Sequence, residues 1–369
     1  MQRISLALAG DVGPCRADVS SMFRYVGATV RQSDVAFCQL EPVLTRRGEA
    51  MPQARLAMRS APETAGAIRR AGFHVVSFAS NHCLDYGQTG LLDTIEALSL
   101  ADLKVVGVGP NLAIARRPVI VTAGGVRIAF LAYCTILPMN YWAEEKRAGC
   151  APLRAWSLHE QIEHDQPGTP ARTHSFAHRE DLESMKADVA AARAQADHVV
   201  VSIHWGVHFV PGELAQYQRE MAYAAIDAGA SIIIGHHPHV LKAIEVYRGR
   251  AILYSLGNFA LDAPTAFASD LRSSKGFKEI QKLAKNWDER NLLPPDTLHS
   301  LLVRCRLTKD AVETVELLPV RINADCEPTL PVLGTPEFDT IARYLDFTCT
   351  SQALPIPYKE VEGSLRIEF

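Results

Sequence analysis

Seven side chains of this 369-residue chain stand where apolar, strand-like runs stop: Asp11, Glu41, Asn81, His82, His204, His237 and His239. Together they offer carboxylate oxygens, an amide oxygen and neutral imidazoles. That mixed oxygen and nitrogen set suits Mn, Fe, Zn or Ni better than ions that prefer thiolate. Two cations about 4 Å apart, sharing one carboxylate, would clamp a reacting oxygen and acidify a water between them. A single histidine at a strand end is more often an ordinary core or surface residue. Three histidines within five residues (His236, His237 and His239), with donors after four other strands, point instead to a metal centre.

These donors need elements that carry them to one place. Ile4–Ala9 is an aliphatic run stopped by Gly10, and Val35–Leu40 repeats the design before Glu41-Pro42. Both read as strands buried on two faces. Val75–Ala79 ends at Ser80-Asn81-His82, His198–Ile203 ends at His204, and Ser231–Ile234 runs into Gly235-His236-His237-Pro238-His239. Helical periodicity falls on Ala61–Ala71, Gly90–Leu100, Leu182–Gln195 and Leu214–Ala228, between strands, and Ala251–Ser255 is one more strand. In open α/β sheets the ligand crevice lies at the carboxyl ends of the strands, so residues distant in sequence converge there. Residues 137–180 lack a clear period and read as an irregular insertion that could act as a lid or substrate-binding segment. Beyond residue 262, Ala268–Asn291 reads as a mobile helix or flap, and Leu301–Leu307 with Ala311–Val320 as a closing antiparallel pair. The expected organisation is a metal-dependent domain over 1–262 with that insertion. A flap and closing strands over 263–369 pack on the same domain.

Composition narrows the function. A net charge of −3 gives no electrostatic footprint for nucleic acid or for a membrane surface. The eight cysteines form no CxxC pair and read as reduced, mostly buried thiols. Ile4–Ala9 is too short for a leader or an anchor, and no other run is long and apolar enough to span a bilayer. The expectation is a cytoplasmic enzyme with a peptide or small-molecule substrate and no membrane anchor.

Gly10-Asp11, Gln39-Leu40-Glu41, Ala79-Ser80-Asn81-His82-Cys83-Leu84-Asp85-Tyr86-Gly87, His204-Trp205-Gly206, Gly235-His236-His237-Pro238-His239 and Tyr254-Ser255-Leu256-Gly257-Asn258-Phe259 occur in that order. In this combination the chain resembles the CapA family, the poly-γ-glutamate capsule biosynthesis group, similar in fold to calcineurin-like metallophosphoesterases. The resemblance spans about residues 4–262. It implies a four-layer α-β-β-α sandwich with one or two divalent ions (Mn, Fe, Zn, Ca or Mg) along one edge. It places Asp11 on the first metal and Glu41 as the bridge. Asn81, His204 and His237 hold the second metal, and His239 returns to the first. His82 matches the position of a general acid in the phosphoesterases.

Three departures bear on the chemistry. Asp11 is followed by Val12-Gly13 where the phosphoesterase pattern has Asp-x-His, so the first metal has fewer protein ligands. Glu41 stands where a bridging Asp is usual in phosphoesterases. His208 occupies a position that relatives fill with Glu, and it reads as a rim residue, a base or an extra ligand. Asp85 shapes the loop after His82 and is placed to orient it. His236 is an alternative ligand to His237 or a substrate contact, and Asn258 is either a turn amide or a crevice residue. Arg16, with Arg46, Arg47 and Arg154, is a candidate clamp for a substrate carboxylate. Trp205 reads as core packing.

The family resemblance makes a peptide or glutamyl-amide substrate at least as fitting as a phosphoester. Hydrolysis and metal-assisted Cα proton abstraction both suit the residues, the latter as in peptide epimerases that act on ribosomal peptide precursors. A phosphoesterase and a non-catalytic component of capsule polymer biosynthesis are the further readings.

Overall fold

The computed structural model describes all residues except 1, 55, 164–167, 170, 266–267, 285–286 and 289–290. Two β-sheets carry the chain. The larger has ten strands, in the order Tyr358–Val361, Ser364–Ile367, Val312–Ile322, His299–Leu307, Ile4–Gly13, Val35–Leu40, Val75–Ser77 and Lys104–Val106. Asn258–Leu261 also pairs with Ile4–Gly13, and Pro328–Thr329 with Val312–Ile322. The second has six strands, in the order Ile244–Tyr247, Arg250–Leu253, Ile232–His236, His198–His204, Val126–Cys134 and Val119–Ala123.

The central strands are almost wholly buried, as their aliphatic composition requires. The sheets meet face to face, and Phe37 of the first stacks on Phe130 of the second with centroids 5.7 Å apart. Helix Gly87–Leu100, with Thr64–Ala71 packed beside it, lies on the larger sheet, and Arg179–Gln195 and Gln216–Asp227 lie on the smaller. The result is the α-β-β-α layering that the sequence resemblance implies. Helix Pro336–Thr350, capped by the Thr335 hydroxyl, touches strands of both sheets and was not marked in the sequence. Among the described residues no helix is long and apolar enough to cross a membrane.

The first strand differs from expectation in an instructive way. It does not stop at Gly10 but runs to Gly13, so Asp11 lies inside it. Up to Ala9 its neighbour is the antiparallel strand His299–Leu307. From Asp11 onward it is the parallel strand Asn258–Leu261, with register shifts on either side of Asp11. Gly10 marks the change of partner, since a Cβ there would lie 2.0 Å from the Gly257 carbonyl oxygen.

The segment expected to be irregular contains an antiparallel hairpin, Ala155–Gln161 against Ala171–Ala177. Its strands are mostly exposed, which explains why burial left no periodic imprint on the sequence. Residues 164–167 and 170 of that segment lie outside the described residues. Within the expected flap, Ala268–Ser273 and Lys275–Leu283 are helices; its residues 285–286 and 289–290 also lie outside the described set. Strands from beyond residue 298 hydrogen-bond directly to Ile4–Gly13, so the C-terminal third contributes to the larger sheet.

Candidate metal centre

The carboxyl ends of four parallel strands from the two sheets face one another across the sandwich edge. Asp11 and Glu41 come from adjacent strands of the larger sheet, with the Glu41 amide donating to the Val12 carbonyl at 2.9 Å. His204 and His236 are opposed residues on paired strands of the smaller sheet. Asp11, Glu41 and His204 each present a ligand atom within 4.8 Å of the others, and all three are buried. Tight backbone approach makes this edge possible. A Cβ at Gly235 would stand 2.0 Å from the Tyr254 carbonyl oxygen and 2.4 Å from the indole nitrogen of Trp205.

The surrounding donors close on this triad. Asn81 Oδ1 lies 2.7 Å from His204 Nε2, and Glu41 Oε1 lies 3.5 Å from His204 Nδ1. With the proton on Nε2, directed at the amide oxygen, the lone pair of His204 stands on Nδ1, facing the carboxylate. On the other side, Asp11 Oδ1 is 3.2 Å from His236 Nδ1, and Asp11 Oδ2 is 3.5 Å from His239 Nδ1. His239 Nδ1 donates to Asn258 Oδ1 at 2.7 Å, which leaves its lone pair on Nε2. His237 packs its ring 5.0 Å from that of His204, and its amide donates to Asp11 Oδ2 at 3.4 Å.

Several of these atoms are buried without a hydrogen bond among the described residues: Asp11 Oδ1, Glu41 Oε1, His204 Nδ1, His237 Nδ1 and both nitrogens of His236. Buried polar atoms left so cost about 1–3 kcal/mol each. Ligand atoms bound at about 2.1 Å and at right angles lie about 3 Å apart. The separations of 3.2 Å between Asp11 Oδ1 and His236 Nδ1 and of 3.5 Å between Glu41 Oε1 and His204 Nδ1, without hydrogen-bond alignment, therefore fit a divalent ion, and so does the chemistry of the donors. Burial, aided by the neighbouring imidazoles, holds His204 and His237 well below the ordinary histidine range, and burial also lowers His239. Burial and the adjacent Asp11 push Glu41 up to about 8. Neutral imidazoles beside crowded carboxylates form a site that cation charge would relieve.

The backbone is strained where the histidines turn inward. His237 and His239 have φ of +92° and +57°, and Phe209 has +59°. The Phe209 amide donates to the Pro238 carbonyl at 3.0 Å, bringing the loop after His204 over this turn. That loop sets the His208 ring 4.7 Å from His237 and 5.2 Å from His239.

His82 stands at the rim, its Nδ1 2.6 Å from Asp85 Oδ2. Asp85 also accepts from the Met58 amide at 2.8 Å and the Tyr141 hydroxyl at 3.4 Å. Its position is thus fixed by three separate parts of the chain, and it orients the His82 ring.

The expected arginine clamps are otherwise engaged. Arg16 binds Asp262 at 2.5 Å and lies 3.7 Å from Glu327. Arg46 pairs with Glu63, Arg47 with Asp93 and Arg154 with Asp181. Each guanidinium has a carboxylate of its own, a pairing that sequence order does not reveal. Trp205 is buried, donating to the Tyr254 carbonyl at 3.0 Å.

Sequence reading passed over three contributors. The Ser80 hydroxyl donates to Glu41 Oε2 at 3.2 Å and accepts from the His82 amide at 3.0 Å. Its place between strand and Asn81 was a usable signal. Tyr141 reaches Asp85 from 56 residues away and left none. Lys242 is buried, its ammonium donating to the Val210 and Glu213 carbonyls, and burial lowers it to about 7. It anchors the loop that carries His208.

A family model described as bacterial capsule synthesis protein PGA_cap matches residues 5–263. Over 244 residues the chain is 34% identical to the capsule biosynthesis protein CapA of Bacillus anthracis, covering 65% of this chain and 54% of that protein. It is 32% identical over 244 residues to the PGA biosynthesis protein CapA of Bacillus subtilis (strain 168), covering 66% and 57%. The chain thus spans about half the length of these curated relatives. Among solved structures, the calcineurin-like phosphoesterase YfkN from Bacillus subtilis aligns with a TM-score of 0.40 at 11% identity, over 95% of this chain and 99% of that one.

Proposed function

This chain belongs to the bacterial capsule synthesis protein family PGA_cap, and from the site its strands assemble we propose that it is a metal-dependent enzyme acting on a peptide or amide-containing substrate. The observation that carries the reading is the convergence of Asp11, Glu41 and His204 within 4.8 Å, with buried ligand atoms that lack hydrogen-bond partners among the described residues. Asp11, Glu41, Asn81, His204, His237 and His239 hold one or two divalent ions, with His236 against Asp11. A bound cation supplies Lewis acidity, polarising the oxygen of an amide or phosphoryl group.

The protein's own groups do the rest. His82, oriented by Asp85, gives a proton to the leaving nitrogen or oxygen as the bond breaks. Ser80 fixes one Glu41 oxygen, so that the other faces His204. The sandwich edge buries the donors away from bulk water, where charge acts with greater effect.

A second reading, epimerisation of a peptide precursor, is favoured by one observation. His208 brings another imidazole against His237 and His239. With His82 it would supply two groups able to remove and return a proton at Cα.

Incubating the manganese-loaded protein with peptide and glutamyl-amide substrates in D₂O separates the two. Release of fragments supports hydrolysis, and deuterium at Cα in an intact peptide supports epimerisation. Phosphate release from an aryl phosphate, lost in Asp11→Asn, would replace both with a phosphoesterase. Full turnover after exhaustive chelation would sink the metal dependence, and a purified protein that binds no metal and turns over none of these substrates would leave a non-catalytic role in capsule polymer biosynthesis.

A further inference from the structure

A cavity of about 640 Å³ opens beside the metal edge, between strand Asn258–Leu261 and the segment 291–298. Its volume lies in the range of pockets that enclose a small organic ligand or a short peptide segment. Leu261, Leu293, Leu298 and Ile322 give it apolar walls. Asn258 lines it on the side of the donor cluster. That residue is paired in register with Asp11, its Oδ1 accepts from His239, and its Nδ2 donates to the Thr297 carbonyl at 3.4 Å. One side chain therefore borders both the cavity and the donor cluster.

Charge says what the cavity would accept. Arg321 lines it, half-buried near the end of strand Val312–Ile322, and its guanidinium makes no hydrogen bond or ion pair among the described residues. Arg16, Arg46, Arg47, Arg127, Arg154 and Arg304, by contrast, each bind a carboxylate of this chain. An unmatched guanidinium in an apolar recess is a place for an anion, and its planar fork suits a carboxylate.

We propose that this cavity seats the substrate, taking an apolar peptide segment that bears a carboxylate on Arg321 and leads its backbone past Asn258 toward Asp11. The assignment rests on the reading of the metal edge as a peptide- or amide-processing site, and it adds the place and the residue, Arg321, that select a carboxylate on the substrate.

The test uses the full chain and two probes that differ in one group, N-acetyl-Leu-Glu-amide and N-acetyl-Leu-Gln-amide. Binding is measured by calorimetry with manganese and again with chelator. The acidic probe should bind the native protein about tenfold more tightly than the neutral one, as a charge-assisted contact implies. Arg321→Gln should erase that preference and leave metal content unchanged. Ala263→Trp, which fills the cavity from its wall, should weaken both probes. An undiminished preference in Arg321→Gln, equal binding by Ala263→Trp, or inorganic phosphate binding more tightly than the acidic probe would overturn the assignment. Such a failure leaves chelator-sensitive turnover intact. Failure of the enzyme reading instead appears as absent turnover with the acid preference retained.

Discussion

Two buried glutamates divide this molecule. Glu316 lies in the antiparallel extension of the larger sheet, directly opposite Arg304 on one neighbouring strand and Arg366 on the other. Its oxygens accept from Arg304 at 2.8 Å and from Arg366 at 2.9 Å. Despite the opposing effect of burial, the two arginines hold its carboxyl below the usual carboxylate range. Glu41 lies at the other edge, fully buried, with Ser80 on one oxygen, no hydrogen bond among the described residues on the other, and Asp11 nearby. The same side chain is satisfied by its own chain in one place and left with unmet valence in the other. A protein tolerates the second arrangement where something else completes it.

The comparison breaks most visibly at Asp11. Asp11→Asn keeps the side chain's size but removes a charge that three histidines approach. Metal affinity and turnover should each fall by about 100-fold or more, since loss of a ligand exceeds the usual cost of disturbing its supports. Metal content by elemental analysis, with turnover on the same samples, checks this, and unchanged metal binding would remove Asp11 from the site. Glu316→Gln comes next, and its effect is on stability alone. Its arginine partners are a third exposed, at 37% and 33%, so water can replace part of the loss. The cost should be about 2 kcal/mol rather than the larger penalty of a fully enclosed pair. Urea denaturation gives the number, and metal binding should not move.

How much of this was legible beforehand follows the same division. Asp11, Glu41 and His204, whose ligand atoms the fold gathers within 4.8 Å, were legible because parallel strands end where chemistry begins, and a chain with one such edge repeats the signal at each strand. The Glu316 cluster was not. Antiparallel pairing of 304, 316 and 366 depends on register, which a single sequence leaves open. The carboxylate partners of Arg16 and Arg154 were hidden for the same reason, since Asp262 lies 246 residues from Arg16. His208 was noticed but not placed, because the loop that carries it is set by the Phe209–Pro238 contact and by buried Lys242. Helix Pro336–Thr350 has a threonine cap, a proline at its start and acidic residues in its first turn, so its beginning was readable by the usual rules.

Glu41→Gln reverses the sign of the Glu316 effect. Glu41 is pushed up to about 8 in the fold, against an ordinary value near 4.5. A carboxyl raised in this way contributes stability at low pH and loses it as pH rises through that interval. At pH 7 the metal-free fold keeps on Glu41 a proton that the unfolded chain has already released; the glutamine variant escapes that cost, though it leaves a buried amide, and should gain about 1.5 kcal/mol without metal. Adding manganese should stabilise the native protein strongly and the variant little. A metal-free variant less stable than the native protein would mean that Glu41, like Glu316, is a structural carboxylate.

Acid offers the smallest and most selective probe, because it loosens both regions for different reasons. His299 lies in the antiparallel extension, opposite Arg321 in register. Burial, with that arginine's charge, lowers it from 6.5 to about 4. Between those values the unfolded chain carries a proton that the native histidine refuses, so stability must fall as pH drops below 6.5. From pH 6.5 to 5.5 the loss from this one group should be about 1 kcal/mol. His204 and His237, also buried and lowered, add to the acid sensitivity of the metal-free protein. Bound manganese competes with protons only at their nitrogens. The His299 share of the slope should therefore persist in saturating metal and disappear in His299→Phe, as followed by urea midpoints at the two pH values. If metal flattened the whole slope, His299 would be coupled to the metal edge, and the separation of the antiparallel extension from that edge would fail.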